Sequence, residues 1–356
     1  VNQPHPRVRR RDLLRLRRLG RELGAERSAR APGSTGAGDL IKASRPAMGS
    51  YFEVRIGASV PGAVDLATRA LDVIDALEGQ LTVYRDDSEL SRLNATAHLG
   101  PVEVEAGLFG LLEHAVEIGS ATAGAYDVTA GALSVAWGFF KGPKRVPEPD
   151  VLADARARTG QQHLQLDRES RTVTFDRPGI VLNLGSIGKG YAIDRAIAVI
   201  QSHWWPTAAL VHGGRSSLYA LGSPPGQLAG RWEIAVRNPF RPETPVGAFR
   251  LRNRAMGTSG TTFQRFESGG RLYGHILDPR TGEPALGPAS VSAIAGTAAE
   301  ADALSTAFYL IGPESTAAYV AAHPGVGALF IDEGASDASP RIRAFGLADD
   351  EFVLAS

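Results

Sequence analysis

The sequence predicts an α+β protein of mixed sheets with flanking helices, and three observations carry that prediction. Amphipathic helical runs dominate residues 61–121. From Ala208 onward, short strand-like runs crowd the chain, separated by Gly, Pro and Asn. The two patterns mix without a strict strand–helix–strand rhythm, which disfavours a doubly wound parallel sheet.

Folding is expected to begin near Ile41, and residues 50–56 alternate as a strand. Within 61–81, Val64, Ala67, Leu71, Ile74, Leu77 and Leu81 recur at spacings of three and four, so they line one helix face. Residues 83–94 open as a turn, and Ser88 is placed to cap a short helix. Helices are predicted over 106–121 and 127–137, followed by a Gly138-Phe139-Phe140 loop and an exposed proline-rich crossing at 141–150. Residues 164–166, 172–175 and 180–184 read as strands, and 188–200 as a helix. Strands follow at 208–211, 217–220, 232–236, 248–251, 255–258, 272–277 and 291–294. Helices at 298–310 and 314–322 and a strand at 328–331 close the core.

Composition excludes several classes. With 356 residues there is room for one large domain. There is no Cys, which removes disulfides, thiolate metal sites and cysteine nucleophiles. No apolar run reaches the roughly 18 residues that cross a membrane. Net charge is zero but unevenly spread. Residues 1–30 hold ten Arg against three acids, leaving 28 basic and 35 acidic residues for the remainder. A folded part of that sign does not bind nucleic acid in bulk.

Residues 1–40 read as a basic N-terminal arm and flexible linker, and residues 41–356 as one folded domain. Leu13, Leu16, Leu19 and Leu23 give the arm an amphipathic side suited to an anionic membrane or a partner; a solvated arm is the plain alternative. Arg9-Arg10-Arg11 resembles the start of a twin-arginine signal, but Arg15, Arg17, Arg18 and Arg21 stand where an apolar stretch belongs. A cytoplasmic location is therefore the expectation, with export to the periplasm as the alternative.

Four segments carry chemistry-bearing residues, each with a plain structural reading beside it. Asn183-Leu184-Gly185-Ser186-Ile187-Gly188-Lys189-Gly190-Tyr191 follows a strand-like run and opens a helix. Its small residues let backbone N–H groups approach a phosphate; a ligand-free turn is the alternative. Its spacing matches neither a Walker loop nor a dinucleotide fingerprint. Asp302 and Thr306 lie four residues apart, so a helix puts a carboxylate and a hydroxyl on one face. That pair suits a hard cation such as Mg2+; an ordinary polar face is the alternative. His275 ends an apolar run before the Asp278-Pro279-Arg280-Thr281-Gly282 turn, as a base or as a core histidine. Gly257-Thr258-Ser259-Gly260 is a hydroxyl-rich turn, for phosphate or for none.

The order of these blocks resembles one family. Ala47-Met48-Gly49-Ser50, the Tyr84–Asn94 segment, GAYDVTAGALSVAWGFF, LNLGSIGKGYAID, HGG, GTSG, GHILDPRTGEP and EADALSTA run in the sequence of the ApbE-type FAD:protein FMN transferases, over about residues 44–332. The resemblance implies a tunnelling-fold-like architecture and a flavin transferase domain that binds FAD. It implies Mg2+-dependent transfer of the FMN moiety to a Thr or Ser hydroxyl of an acceptor flavoprotein, releasing AMP. An FAD pyrophosphatase or a non-catalytic flavin-binding protein are the alternatives. By the same resemblance Met48 and Tyr84 flank the flavin or adenine. Ser186, Lys189, Asp194, Ser259, Gly274 and His275 belong to the FAD site. Asp302, Thr306 and the Gly188 carbonyl hold Mg2+, and His275 is the base. Asn183, Ser186, Arg215 and the Thr261–Gln264 segment depart from the family pattern, which bears on the acceptor more than on FAD.

Overall fold

In the computed structural model, residues 39–140, 142–205, 207–214, 216–226, 230–260, 265–336 and 339–355 are described. The expectations for residues 1–38, Arg215 and 261–264 lie outside them. The described fold opens with strand β1 (Leu40–Ala47) and β2 (Ser50–Gly57). They are joined by Met48 and Gly49, both at positive φ (49° and 68°), as a two-residue hairpin requires. Helices α1 (Ala63–Leu81), α2 (Glu89–Thr96) and α3 (Ala106–Ala121) follow, with the short strand β3 (Val102–Glu103) between the last two. Ser88 caps α2 as expected, its hydroxyl accepting from the Ser91 N–H at 3.0 Å. On α1 the buried stripe is Ala63, Leu66, Ala67, Ala70, Leu71, Ile74, Leu77 and Leu81. Val64, expected on that face, is 59% exposed, so the true stripe is rotated toward Leu66 and Ala70.

Helix α4 is confined to Gly131–Ala136, shorter than the predicted 127–137. Asp127 folds back to accept from the Thr129 N–H (2.8 Å), and the Val128 carbonyl accepts from Asn183 (2.8 Å), so the chain before Gly131 is committed elsewhere. Helix α5 (Pro149–Ala157), unforeseen, starts with Pro at its first turn, where a missing N–H costs nothing. Strand β4 (Leu164–Asp167) pairs with β5 (Thr172–Phe175), which pairs on its other side with β3. The predicted strand at 180–184 does not form a ladder. Leu182 exchanges both backbone bonds with the Asn94 amide (2.8 and 3.0 Å), and Val181 makes a single bridge to Ala130.

Helix α6 (Gly188–Gln201) leads to β6 (Ala209–Gly213), β7 (Ser217–Leu221), β8 (Trp232–Arg237), β9 (Pro245–Leu251) and β10 (Arg254–Gly260). A hairpin of β11 (Arg265–Ser268) and β12 (Arg271–Gly274) follows, ending before His275, then β13 (Ser290–Ala295). Helix α7 (Ala298–Ala322) contains the predicted break: Gly312 sits at φ 75°, ψ 176° ahead of Pro313. Strands β14 (Gly327–Ser336), β15 (Ser339–Phe345) and β16 (Phe352–Leu354) complete the chain, the last two unforeseen.

Eight strands form one antiparallel sheet in the order β1-β2-β6-β7-β10-β13-β14-β15. The period-two rule divides its residues between two cores. Val211, Ala255, Ala293 and Ala328 join the core that contains α1, α6 and α7. Leu210, Met256, Ile294 and Leu329 join a second core with Phe249 and Trp232 of the small β16-β9-β8 sheet. The sheet is thus covered by helices on one face and by strands on the other, as an α+β fold requires.

Candidate functional site

The register gathers the functional segments at one end of the large sheet. Phe52 of β2 faces Gly213, Gly213 faces Ser217, and Ser217 faces Gly257. The end of β1, the starts of β2 and β7, and the end of β10 therefore lie side by side.

Asp302 on α7 sits behind this end, only 4% exposed. That burial excludes an ordinary solvated helix face. Its Oδ1 accepts from the Ser217 hydroxyl at 2.8 Å, and its Oδ2 accepts from the Gly190 N–H at 3.2 Å. The Lys189 ammonium stands 3.4 Å from Oδ2 and donates to the Gly185 carbonyl at 3.1 Å. A buried carboxylate is tolerable only with such partners. Two glycines make the approach feasible. A Cβ at Gly190 would lie 2.0 Å from the Ala298 carbonyl oxygen, and one at Gly257 would lie 2.2 Å from that of Ala301. Any larger residue would push α7, and Asp302 with it, away from α6 and β10.

One turn along, the Thr306 hydroxyl lies 3.2 Å from the Ser259 hydroxyl, which also meets Ser305 Oγ at 2.9 Å. Gly188 is buried at the first turn of α6. Asp302 and Thr306 on one face of α7, and the Gly188 carbonyl at the start of α6, are oxygen donors of the kind a hard divalent cation takes. Among the described residues no cluster of three or more His, Cys, Asp or Glu forms a self-contained cage. Such a cation would thus keep open positions for water or substrate oxygens.

Asp194, expected at the FAD site, also reaches the start of α7. Its two oxygens accept from the Ala298 and Ala299 N–H groups at 2.7 and 2.8 Å, so it anchors the start of α7. It acts on the site through the helix that carries Asp302. Burial pushes its carboxyl up to about 6, and Asp302 and Glu300 push the same way against the two amides. Between about pH 4 and 6 the folded protein therefore retains a proton that the unfolded chain has released. Stability falls as pH rises through that window, by roughly 3 kcal/mol from this group. Asp194→Asn is expected to flatten that slope relative to wild type in melting curves recorded across it. An identical slope in the variant would assign the dependence to other groups, such as buried Asp127, whose carboxyl is also raised by burial.

Ser186 is half-buried in the loop before α6, its hydroxyl donating to the Tyr126 phenol oxygen at 3.3 Å. Met48 is bound by its N–H to Glu78 Oε1 at 2.7 Å. Tyr84 is 68% exposed and rests edge-on against Phe140 at 5.2 Å, leaving ring surface for a planar ligand. Gly274 and His275 are partly buried between the β11–β12 hairpin and the 278–282 turn. The sequence did not single out what braces that segment. Trp137, 1% exposed, donates Nε1–H to the Gly282 carbonyl at 2.9 Å. Its ring lies 5.4 Å from Tyr273, which stacks on Phe266 at 5.3 Å. Trp137 therefore holds both flanks of His275. Trp137→Ala is expected to cost about 3–5 kcal/mol of stability. Trp137→Phe keeps an aromatic ring there but trims it and removes the donor to the buried Gly282 carbonyl, which costs about 1–3 kcal/mol. If Trp137 positions His275, turnover in the Phe variant falls more than its melting temperature foretells. Unchanged turnover would make the bond purely structural. Ser217, Gly190 and Gly257 were likewise missed as site residues, although each lies in or beside a recognised motif.

A buried carboxylate, a lysine and paired hydroxyls converge at one sheet end of a helix-backed antiparallel fold. The chain belongs to the ApbE family, whose model matches residues 48–330. It is 32% identical over 325 residues to the FAD:protein FMN transferase of Treponema pallidum, covering 86% of this chain and 89% of that one. It is 31% identical over 277 residues to that of Salmonella typhimurium, covering 75% and 77%. The crystal structure of the ApbE protein from Thermotoga maritima superposes with a TM-score of 0.78 at 28% identity, covering 86% of this chain and 97% of that one. The flavin transferase ApbE from Vibrio cholerae superposes with a TM-score of 0.76 at 27% identity, with the same coverage.

Proposed function

We propose that this enzyme transfers the FMN moiety of FAD to a Thr or Ser hydroxyl of a target flavoprotein, with Mg2+ as metal and AMP as leaving group. The observation that carries this reading is the Asp302 cluster: a buried carboxylate one helical turn from Thr306, with Lys189 beside it. Flavin transfer itself is the activity named for the relatives in Treponema pallidum and Salmonella typhimurium.

The acceptor oxygen attacks the phosphorus on the FMN side of the pyrophosphate. The bond from that phosphorus to the bridging oxygen breaks, and its electron pair leaves with AMP. The acceptor proton goes to His275, which makes a weak nucleophile competent. Lys189 offers positive charge to the phosphate oxygens. Asp302, Thr306 and the Gly188 carbonyl would hold Mg2+, which offsets negative charge developing on the phosphate oxygens. Tyr84 and Met48 supply an aromatic and a thioether surface for the rings of FAD.

The test is incubation with FAD and Mg2+, with and without an acceptor flavoprotein bearing a threonine flavinylation site, following AMP by chromatography. AMP only with acceptor, and flavin covalently on it, is the expected result. AMP at equal rate without acceptor would mean hydrolysis, and bound FAD without AMP would mean a carrier. The free protein is also expected to quench FAD fluorescence at lower concentration than FMN, because the adenine half adds contact area. Equal affinities would contradict a dinucleotide pocket.

A further inference from the structure

The site occupies one end of the eight-stranded sheet, and the other end presents a different surface. Leu40 pairs with Gly57, and Ile56 with Ala209, so β1 and β6 begin at that far end. Just before β6, the C-terminal turn of α6 runs into His203-Trp204-Trp205. Trp204 is 73% exposed and Trp205 44%, while Trp137 and Trp232 are buried at 1% and 5%. The Trp204 ring meets Trp205 edge-on at 5.4 Å and His203 at 5.6 Å, so the three rings form one aromatic projection. Exposed Val64, at the first turn of α1, lies a short loop beyond the same end of β2. Two adjacent indoles with an apolar body and one polar N–H each suit a lipid–water boundary better than open water.

Residues 1–38 join the described fold at Asp39, at this same end, and residues 1–30 carry ten Arg against three acids. A segment of that charge is drawn to anionic headgroups and not to neutral ones. Of the carboxylates near this end, Asp350 and Glu351 are matched by Arg231 and Arg254 at 3.0 and 3.4 Å, and Asp39 and Asp65 stand there too, so the attraction to anionic lipid rests on residues 1–30.

We propose that this end docks on an anionic lipid surface, with Trp204 and Trp205 seated among the headgroups and the ten Arg of residues 1–30 supplying charge that favours anionic lipid. The Asp302 cluster, at the opposite end of the strands, then faces away from the bilayer and stays open to FAD and acceptor from the aqueous side.

Full-length protein incubated with phosphatidylcholine vesicles, and with vesicles also containing phosphatidylglycerol, tests this by co-sedimentation and tryptophan emission. Binding to the anionic vesicles alone is expected, with an emission blue-shift that buried Trp137 and Trp232 cannot supply. Raised salt should release the protein, because the arm's attraction is screened. The double variant Trp204→Ser/Trp205→Ser should lose the shift and most of the sedimentation, with melting temperature and AMP release unchanged. Equal sedimentation of the double variant, or no binding to either vesicle, overturns the proposal. A concentration-dependent dimer that the double variant abolishes, without vesicle binding, assigns the indoles to a second copy and also overturns it.

Discussion

Asp302→Asn is expected to lower AMP release from FAD by about 10³-fold or more, the scale on which a lost electrostatic anchor for transition-state charge is felt. The Asn carbonyl can still accept from Ser217, so the changes are confined to the two contacts of Oδ2, with the Gly190 N–H and the Lys189 ammonium. Asp302→Ala is a harsher test. It strands the Ser217 hydroxyl and the Gly190 N–H and removes the partner of Lys189. Each buried group left unsatisfied costs roughly 1–3 kcal/mol, so activity loss in that variant mixes chemistry with instability. The Asn variant separates them. Wild-type turnover in Asp302→Asn, with a wild-type melting temperature, would remove the carboxylate from the mechanism. Thr306→Val should be milder, since it removes one neutral ligand and keeps the shape.

His275→Ala is expected to lose about 10²–10⁴-fold in flavin transfer, the usual contribution of a general base, while FAD affinity changes far less. Proton removal from the acceptor is a transition-state task, whereas FAD is gripped along its whole length. If His275 only fills space beside Tyr273 and Leu277, His275→Asn would be nearly harmless and the Ala variant would chiefly lower the melting temperature. AMP release and thermal stability of both variants decide the matter. Full activity in the Asn variant would leave the Asp302 cluster as the catalytic element.

The two residues differ in how legible they were. Asp302 and Thr306 could be paired from their spacing alone, because a helix places positions four apart on one face. That Asp302 is buried, and held by Ser217 and Gly190, was not readable. Those partners lie 85 and 112 positions away, and no local pattern encodes such a meeting. Asp194 shows the same limit from the other side. Its place in a recognised motif points to the ligand, and its bonds to two backbone amides of α7, 104 and 105 positions away, were not readable. The strand predicted at 180–184 failed for a related reason. A side-chain amide from Asn94 took the bonds a ladder would need.

The sequence by itself determined the α+β class, most helices, the inner strands and the family to which the chain belongs. Hydrophobic periodicity, caps and ordered motifs are local properties, and they survive being read one segment at a time. Tertiary structure alone decided that β1, β2, β6, β7 and β10 bring their functional ends together, and that Trp137 braces the His275 segment from 145 positions before Gly282. It also decided that the indoles of Trp204 and Trp205 stand at the far end of the same sheet. Register between antiparallel strands fixes which ends coincide. That register is set by burial on two faces at once, a condition that no single stretch of sequence contains.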